Sequence, residues 1–340
     1  MEHLGLLGLA DSGHASLFAA LTGQDVSAAA ERILGQVAIP DERLAKLAAM
    51  SESEKVVPAT LQLAYLPGLS TEAGKGLGSR LLGSVRDSDA LMLTVRADEG
   101  HDAAKELTAL EEELILADLE SVESRVYKQR RAAKGDKTLA AEIVALERAE
   151  AVLSDGTPIY RADLTDAERA LLAPAFLLTN KPALVVVNIG TDQIGEADAL
   201  AAPFGDDAFA VCIELEGDPD VVAAQGAERA ELLADLGIPE SVVPRLARAA
   251  LRLLGRRTFL TTGDKESRAW TFRAGAAAPE CAGVIHSDLQ RGFIRAEVID
   301  WQELLDIGSW TKAKDAGKLR VEGKDYIVAD GDVLEIRFNV

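Results

Sequence analysis

Apolar residues in the first hundred positions fall in short runs separated by longer stretches of helical period. Leu4, Leu6 and Leu7 open the chain as a first buried strand. The glycine-rich stretch GLADSGHASLFAALTG (Gly8–Gly23) follows it, and within this stretch Leu17–Leu21 reads as the start of a helix. Further buried strands are predicted at Thr60–Leu66, Leu91–Val95, Ala183–Val187 and Phe209–Ile213. Apolar runs that alternate with helices predict an α/β fold, a parallel sheet covered on both faces.

Between Asp98 and about Leu178 the period changes. Ile115, Leu119, Val122 and Val126 recur in steps of four, three and four. Leu139, Ile143, Leu146 and Leu153 continue the stripe after a break at Lys134-Gly135-Asp136-Lys137. Two antiparallel helices joined at the break fit that pattern, with Glu, Lys and Arg on the solvated face. Glu240–Leu254 reads as the last helix of the sheet domain, stopped by Gly255. Beyond it, Trp270–Arg273, Gly292–Val298, Tyr326–Val328 and Val333–Phe338 are short strand-like runs, the signal of a small α+β unit.

With 340 residues the chain exceeds one ordinary core, so several domains are expected. The patterns divide it into a sheet domain (1–97 and 179–255), a helical insert (98–178) and a C-terminal domain (256–340). Charge sharpens this division. The net charge is −20, yet Arg256–Val340 carries 13 Lys+Arg against 14 Asp+Glu, a net of −1. The acidic bulk repels nucleic acid and acidic lipid, so no DNA or membrane partner is expected. Any RNA contact belongs to a basic face of the C-terminal part. Cys212 and Cys281 are too few for a disulfide framework, and the four histidines show no metal-ligand spacing. There is neither a basic signal-peptide start nor an apolar run of membrane-spanning length, so a cytoplasmic location is expected.

Gly8 and Gly13 are spaced as in G-x-x-x-x-G-K-[ST], the phosphate-cradling loop of nucleotidases. His14 stands where that loop has its lysine, and Ala15 stands at the magnesium-ligand position. His14 is shorter than lysine and mostly neutral at pH 7, while a methyl group ligates nothing. Each missing charge-assisted hydrogen bond is worth about 1.5–3 kcal/mol. Two readings of the surviving glycines follow from the residues. Gly13 marks a turn where only bare backbone fits, or the loop amides and the helix N-terminus still hold an anion without the lysine. On the second reading the contacting positions are Gly8, Asp11, Ser12, Gly13, His14, Ala15 and Ser16.

The C-terminal part carries the most specific signals. Thr261-Thr262-Gly263-Asp264-Lys265-Glu266-Ser267-Arg268-Ala269-Trp270-Thr271 resembles the TAG-x-KE-x-RAWT segment of the YchF family, the Obg-like ATPases of the P-loop class. Ala282–Asp288 (AGVIHSD) and Gly292–Ala296 (GFIRA) resemble two further signatures of that family. Ala316–Lys318, Glu322–Val328 and the terminal Phe338-Asn339-Val340 add to them, as does Leu114–Leu119 (LILADL) in the helical insert. The resemblance covers nearly the whole chain. It implies a P-loop, Obg-type G domain, an inserted helical coiled-coil hairpin and a C-terminal β-grasp domain of TGS type. It also implies a cytosolic protein linked to translation and stress regulation, which binds ribosomes and hydrolyses ATP in preference to GTP.

Against that pattern this chain departs in a consistent direction. Gly13-His14-Ala15-Ser16 stands for GKST, and Tyr65-Leu66-Pro67-Gly68 for the D-x-x-G whose aspartate organises magnesium. Asn188-Ile189-Gly190-Thr191 keeps the asparagine of the base-reading N-x-x-E and loses the acid. The first-switch segment between Thr22 and Pro40 is shortened, and Gly74–Gly78 (GKGLG) keeps the second-switch glycines. The expectation is a pseudo-ATPase with no required cofactor and no magnesium site, with ATP or GTP binding left open. A slow ATPase with an unconventional site and a protein scaffold built on the helical insert are the competing readings. For ribosome or RNA contact the candidates are Arg291, Arg295, Lys312, Lys314, Lys318 and Lys324. Asp288 is expected to cap a turn.

Overall fold

The structure is a computed structural model that describes residues 3–27, 29, 31–68, 79–98, 100–133, 139–224 and 226–339. Its strands, in chain order, are β1 (His3–Gly8), β2 (Ile33–Ile39), β3 (Val56–Val57), β4 (Ala59–Tyr65), β5 (Ala90–Arg96), β6 (Ala183–Asn188) and β7 (Phe209–Val211). The C-terminal part adds β8 (Arg256–Thr261), β9 (Ser267–Arg273), β10 (Phe293–Asp300), β11 (Arg320–Glu322) and β12 (Asp332–Phe338). One six-stranded sheet has the order β2-β4-β1-β5-β6-β7, the other β11-β10-β12-β8-β9-β3. Contacts group residues 1–36 and 62–246 in one compact unit, and residues 37–61 and 247–340 in a second. Among the described residues no helix is long and apolar enough to cross a membrane.

The expected α/β architecture is what the first unit shows. β1 runs parallel to β4 and β5, and β5 continues through β6 to β7 in parallel register. Six of the seven residues of β5 are buried, because a central parallel strand has apolar neighbours on both faces. The expected strands match β4, β5 and β6 to within a residue. Phe209–Ile213 ends earlier, at Val211, since Ile213 opens a short helix, Ile213–Glu216. The helix expected from Glu240 begins at Val243. Before it, Ser241 Oγ and Val242 N are both held by the buried Glu216 carboxylate, each at 2.7 Å.

Two long helices, Ala103–Ala132 and Ala140–Ser154, form the hairpin of the insert, and a short helix, Asp166–Leu172, packs on it. Val122, Val126, Leu146 and Leu153 share its core with Ile115, Ala145 and Ala149, while Ile143 is only half-buried. Arg125–Glu142 and Arg130–Glu147, both at 2.7 Å, pair the helices across their solvated sides. The LILADL segment has a structural use. Asp118 is buried and accepts from Leu178 N, Thr179 N and Thr179 Oγ1, all at 2.7 Å, fastening the hairpin's base to the chain that enters β6. The break at Lys134–Lys137 lies outside the described residues, as do Gly74–Gly78 and Val340.

In the second unit β9, β10 and β12 carry strands expected from sequence, and β8 is one the sequence pattern does not mark. Tyr326–Val328 is not among them. Ile327 makes only an isolated bridge to Ala277, because Tyr326 turns its hydroxyl to Asp332 at 2.7 Å and Val328 N bonds Ala276 O. Residues 37–61, which the sequence pattern assigns to the sheet domain, group here. Helix α2 (Glu42–Met50), capped by Asp41, leads to β3, which pairs with β9 in parallel, Val56 opposite Ser267. The TTGDKESRAWT segment receives this strip. Ser53 Oγ donates to Gly263 O at 2.7 Å, Glu54 N to Asp264 O at 2.8 Å, and Ser267 N to Lys55 O at 2.9 Å. In the GFIRA segment a Cβ on Gly292 would fall 2.3 Å from Asn339 O, so only bare backbone fits against the terminal strand.

Candidate functional site

β1 ends on Gly8, and the chain turns through Leu9–Gly13 into helix α1 (His14–Thr22). The turn needs left-handed backbone at Asp11 (φ 66°) and Gly13 (φ 85°). Aspartate tolerates that region, and glycine is at home there. Each glycine has a second reason to lack a side chain. A Cβ on Gly8 would lie 2.0 Å from Ser12 Oγ and 3.1 Å from His14 Nδ1. On Gly13 it would lie 2.6 Å from Asn188 Nδ2. Each of the two glycines thus lies against another side chain and has no room for one of its own.

Ser12 and His14 are both buried. His14 Nε2 lies 3.2 Å from Leu66 O, and Nδ1 lies 2.9 Å from Ser12 Oγ. A carbonyl only accepts, so Nε2 carries the hydrogen and Nδ1 accepts from the Ser12 hydroxyl. Burial holds the imidazole pKa below its ordinary value of 6.5, with the Leu66 bond opposing, and the ring is neutral. It stacks on Tyr65 with centroids 5.2 Å apart and planes 11° from parallel. Phe18 meets the same tyrosine edge-on at 5.8 Å. Burial raises the Tyr65 hydroxyl above its usual pKa of 10.0. Gly68 closes over the group, since a Cβ there would sit 3.1 Å from His14 Cε1 and 3.2 Å from Ala10 Cα.

The remaining candidates are spread around this plug. Asn188 donates through Nδ2 to Ser12 O at 3.2 Å and accepts from Ile213 N at 3.3 Å, so its amide ties the loop to the chain after β7. Ala15 is half-buried and Ser16 exposed, with Ser16 O 3.0 Å from where a Gly217 Cβ would stand. Arg96 and Asp98 are additions that sequence reasoning does not single out. Arg96 Nη1 donates to Asp11 O at 3.2 Å while its guanidinium is clamped by Asp98. Their signal is positional, at the carboxyl end of β5 beside β1, where open α/β sheets place their sites.

Phosphoryl transfer on a magnesium nucleotide calls for a cation at the loop, a ligating hydroxyl and a carboxylate. The three positions hold a neutral imidazole with both nitrogens engaged, a methyl group and a phenol. These residues do not fit a magnesium–nucleotide pair.

The basic candidates of the second unit fall into two groups. Arg291 is paired with Asp288, and Lys318 with Glu303 at 3.3 Å. Arg295, Lys312, Lys314 and Lys324 are exposed and make no ion pair among the described residues. The cap expected of Asp288 is made by the preceding residue, because His286 Nδ1 accepts from Asp288 N at 3.2 Å and leaves that carboxylate to Arg291.

A YchF-GTPase C-terminal family model, described as a protein of unknown function (DUF933), matches residues 257–339. The chain is 36% identical to the ribosome-binding ATPase YchF of Bacillus subtilis over 363 aligned positions, covering 99% of each. It is 35% identical to the protein of the same name from Escherichia coli O157:H7, again over 99% of each. Among solved structures, the Schizosaccharomyces pombe YchF GTPase superposes with a TM-score of 0.86 at 26% identity, covering 99% of this chain and 97% of that one.

Proposed function

The chain belongs to the YchF family, and from that premise we propose that it is a member acting by binding alone, without magnesium-dependent nucleotide hydrolysis. One observation carries this reading: His14, at the lysine position, spends both ring nitrogens on Ser12 and Leu66 and stacks on Tyr65, at the aspartate position. The two positions the family uses on phosphate and magnesium are here turned toward each other. On this reading the contacts of His14 with Ser12, Leu66 and Tyr65 take the place of those to phosphate and magnesium, and no cofactor is required. Relatives named ribosome-binding ATPases support a cytoplasmic role at the ribosome. The contact is assigned to the C-terminal domain, of TGS β-grasp type, through Arg295, Lys312, Lys314 and Lys324. The hairpin, read as a short coiled coil, serves a protein partner.

The test is turnover and calorimetry on the full chain with ATP, GTP and ADP, with and without Mg²⁺. No hydrolysis above the buffer rate and no magnesium-dependent heat are expected. Turnover that disappears in His14→Ala would overturn the reading in favour of a slow ATPase with an unconventional site.

A further inference from the structure

The second unit holds a cleft of about 320 Å³ floored by Ile39 and Leu251 and rimmed by guanidinium groups. Arg43, Arg248, Arg252, Arg256 and Arg257 line it, against Asp41, Glu42 and Asp330. In a chain of net charge −20, this is a local excess of positive charge. The carboxylates do not neutralise the rim. Asp41 and Asp330 are both held by Arg43, each at 2.8 Å, and the same guanidinium donates to Thr258 Oγ1 at 2.8 Å. The Glu42 side chain is 90% exposed and, among the described residues, pairs only with Lys46, at 4.0 Å.

Three arginines are therefore left with little to bind. Arg248 Nη1 reaches Pro40 O at 3.4 Å, and Arg257 Nη1 bonds the neighbouring Arg256 O at 2.8 Å. Arg252 is exposed and makes no ion pair among the described residues. Arg248 and Arg252 are four apart on the helix Val243–Leu253, a spacing at which like charges face each other and destabilise a helix. The helix dipole favours a cation in the last turn, which accounts for Arg252. It does not account for Arg248 a turn earlier, or for Arg257 arriving from β8.

We infer that this cleft is a binding site for a small compound carrying two or three linked phosphates. Guanidinium forks bind phosphate oxygens in pairs, and several converging forks match a polyanion better than a single charge. The volume lies near the lower end of small-molecule sites, about 300–1,000 Å³. The site stands independently of whether the loop after β1 binds nucleotide.

Inorganic tripolyphosphate titrated calorimetrically into the full chain at low salt tests this. A saturable one-to-one isotherm is expected, weakened by about tenfold or more in Arg248→Gln/Arg252→Gln, the scale of removing one charge-assisted hydrogen bond. Arg252→Gln alone, a change of one exposed side chain, is expected to weaken it in the same direction with an unchanged melting temperature. Arg130→Gln, on the helical hairpin, should leave it intact. Absence of saturable heat at millimolar tripolyphosphate, or undiminished binding in the double variant, would overturn the inference. So would a chain that binds a short single-stranded RNA through these arginines and ignores tripolyphosphate.

Discussion

His14 shows how one substitution changes the character of a whole loop. A lysine there would project an ammonium group; the imidazole instead closes a ring of internal contacts with Ser12, Leu66 and Tyr65. Removing it in His14→Ala leaves the Ser12 hydroxyl and the Leu66 carbonyl unpaired and opens a cavity beside Tyr65. The cost should be about 2–4 kcal/mol, read from urea unfolding. The same residue gives stability a pH dependence. Its pKa is depressed in the fold, so the unfolded chain takes up the proton first. Its contribution is complete above pH 6.5, the unfolded value, and is lost as pH falls from there toward the lower folded value. His14→Gln should flatten unfolding free energy across that window, and an unchanged slope would show that other groups set it. The missing cation and ligand are legible in the residue types at positions 14, 15 and 65. The plug is not, because Tyr65 and Leu66 arrive from another strand and nothing local to His14 announces a stacking partner.

Elements differ in how clearly they announce themselves. β5 and β6 are nearly unbroken apolar runs and are legible as buried strands. β2 alternates buried and exposed positions, but Gly35 and Gln36 interrupt its apolar run, and its segment reads from sequence only as a shortened first switch. β3 has two residues and owes its existence to β9, so no local pattern could reveal it. The helical hairpin is legible from its stripe, but not the fastening of its base. That fastening predicts a sharp contrast. Asp118→Ala strands three buried donors at once and should cost about 3–5 kcal/mol, whereas Asp118→Asn keeps an acceptor and should cost less. Hydrogen exchange at Leu178 and Thr179 would locate the effect, and equal costs for the two substitutions would contradict it.

Across the whole molecule the charge is divided unevenly, and the proposed ribosome contact depends on that division. The side chains to reverse are those with no carboxylate of their own among the described residues, Arg295, Lys312, Lys314 and Lys324, because reversal at Lys318 would also disturb Glu303. Reversing all four to Glu should abolish co-sedimentation with ribosomes at low salt, and wild-type binding should itself fade as salt rises. Co-sedimentation equal to wild type would move the contact surface elsewhere.

The strip of residues 37–61 sets an order of events during synthesis. It leaves the ribosome early, yet the strand it pairs with, β9, is made only after about two hundred further residues. At about 5–20 residues per second, that is a wait on the order of 10–40 s. Throughout it Leu44, Leu47 and Ala48, buried in the finished unit, have nothing of the later-made sheet to cover them. The first unit can complete its parallel sheet meanwhile, but the second closes only when its last strand emerges. The newborn chain thus carries an amphipathic helix whose apolar face lacks its later-made cover for most of its translation, a natural foothold for a chaperone.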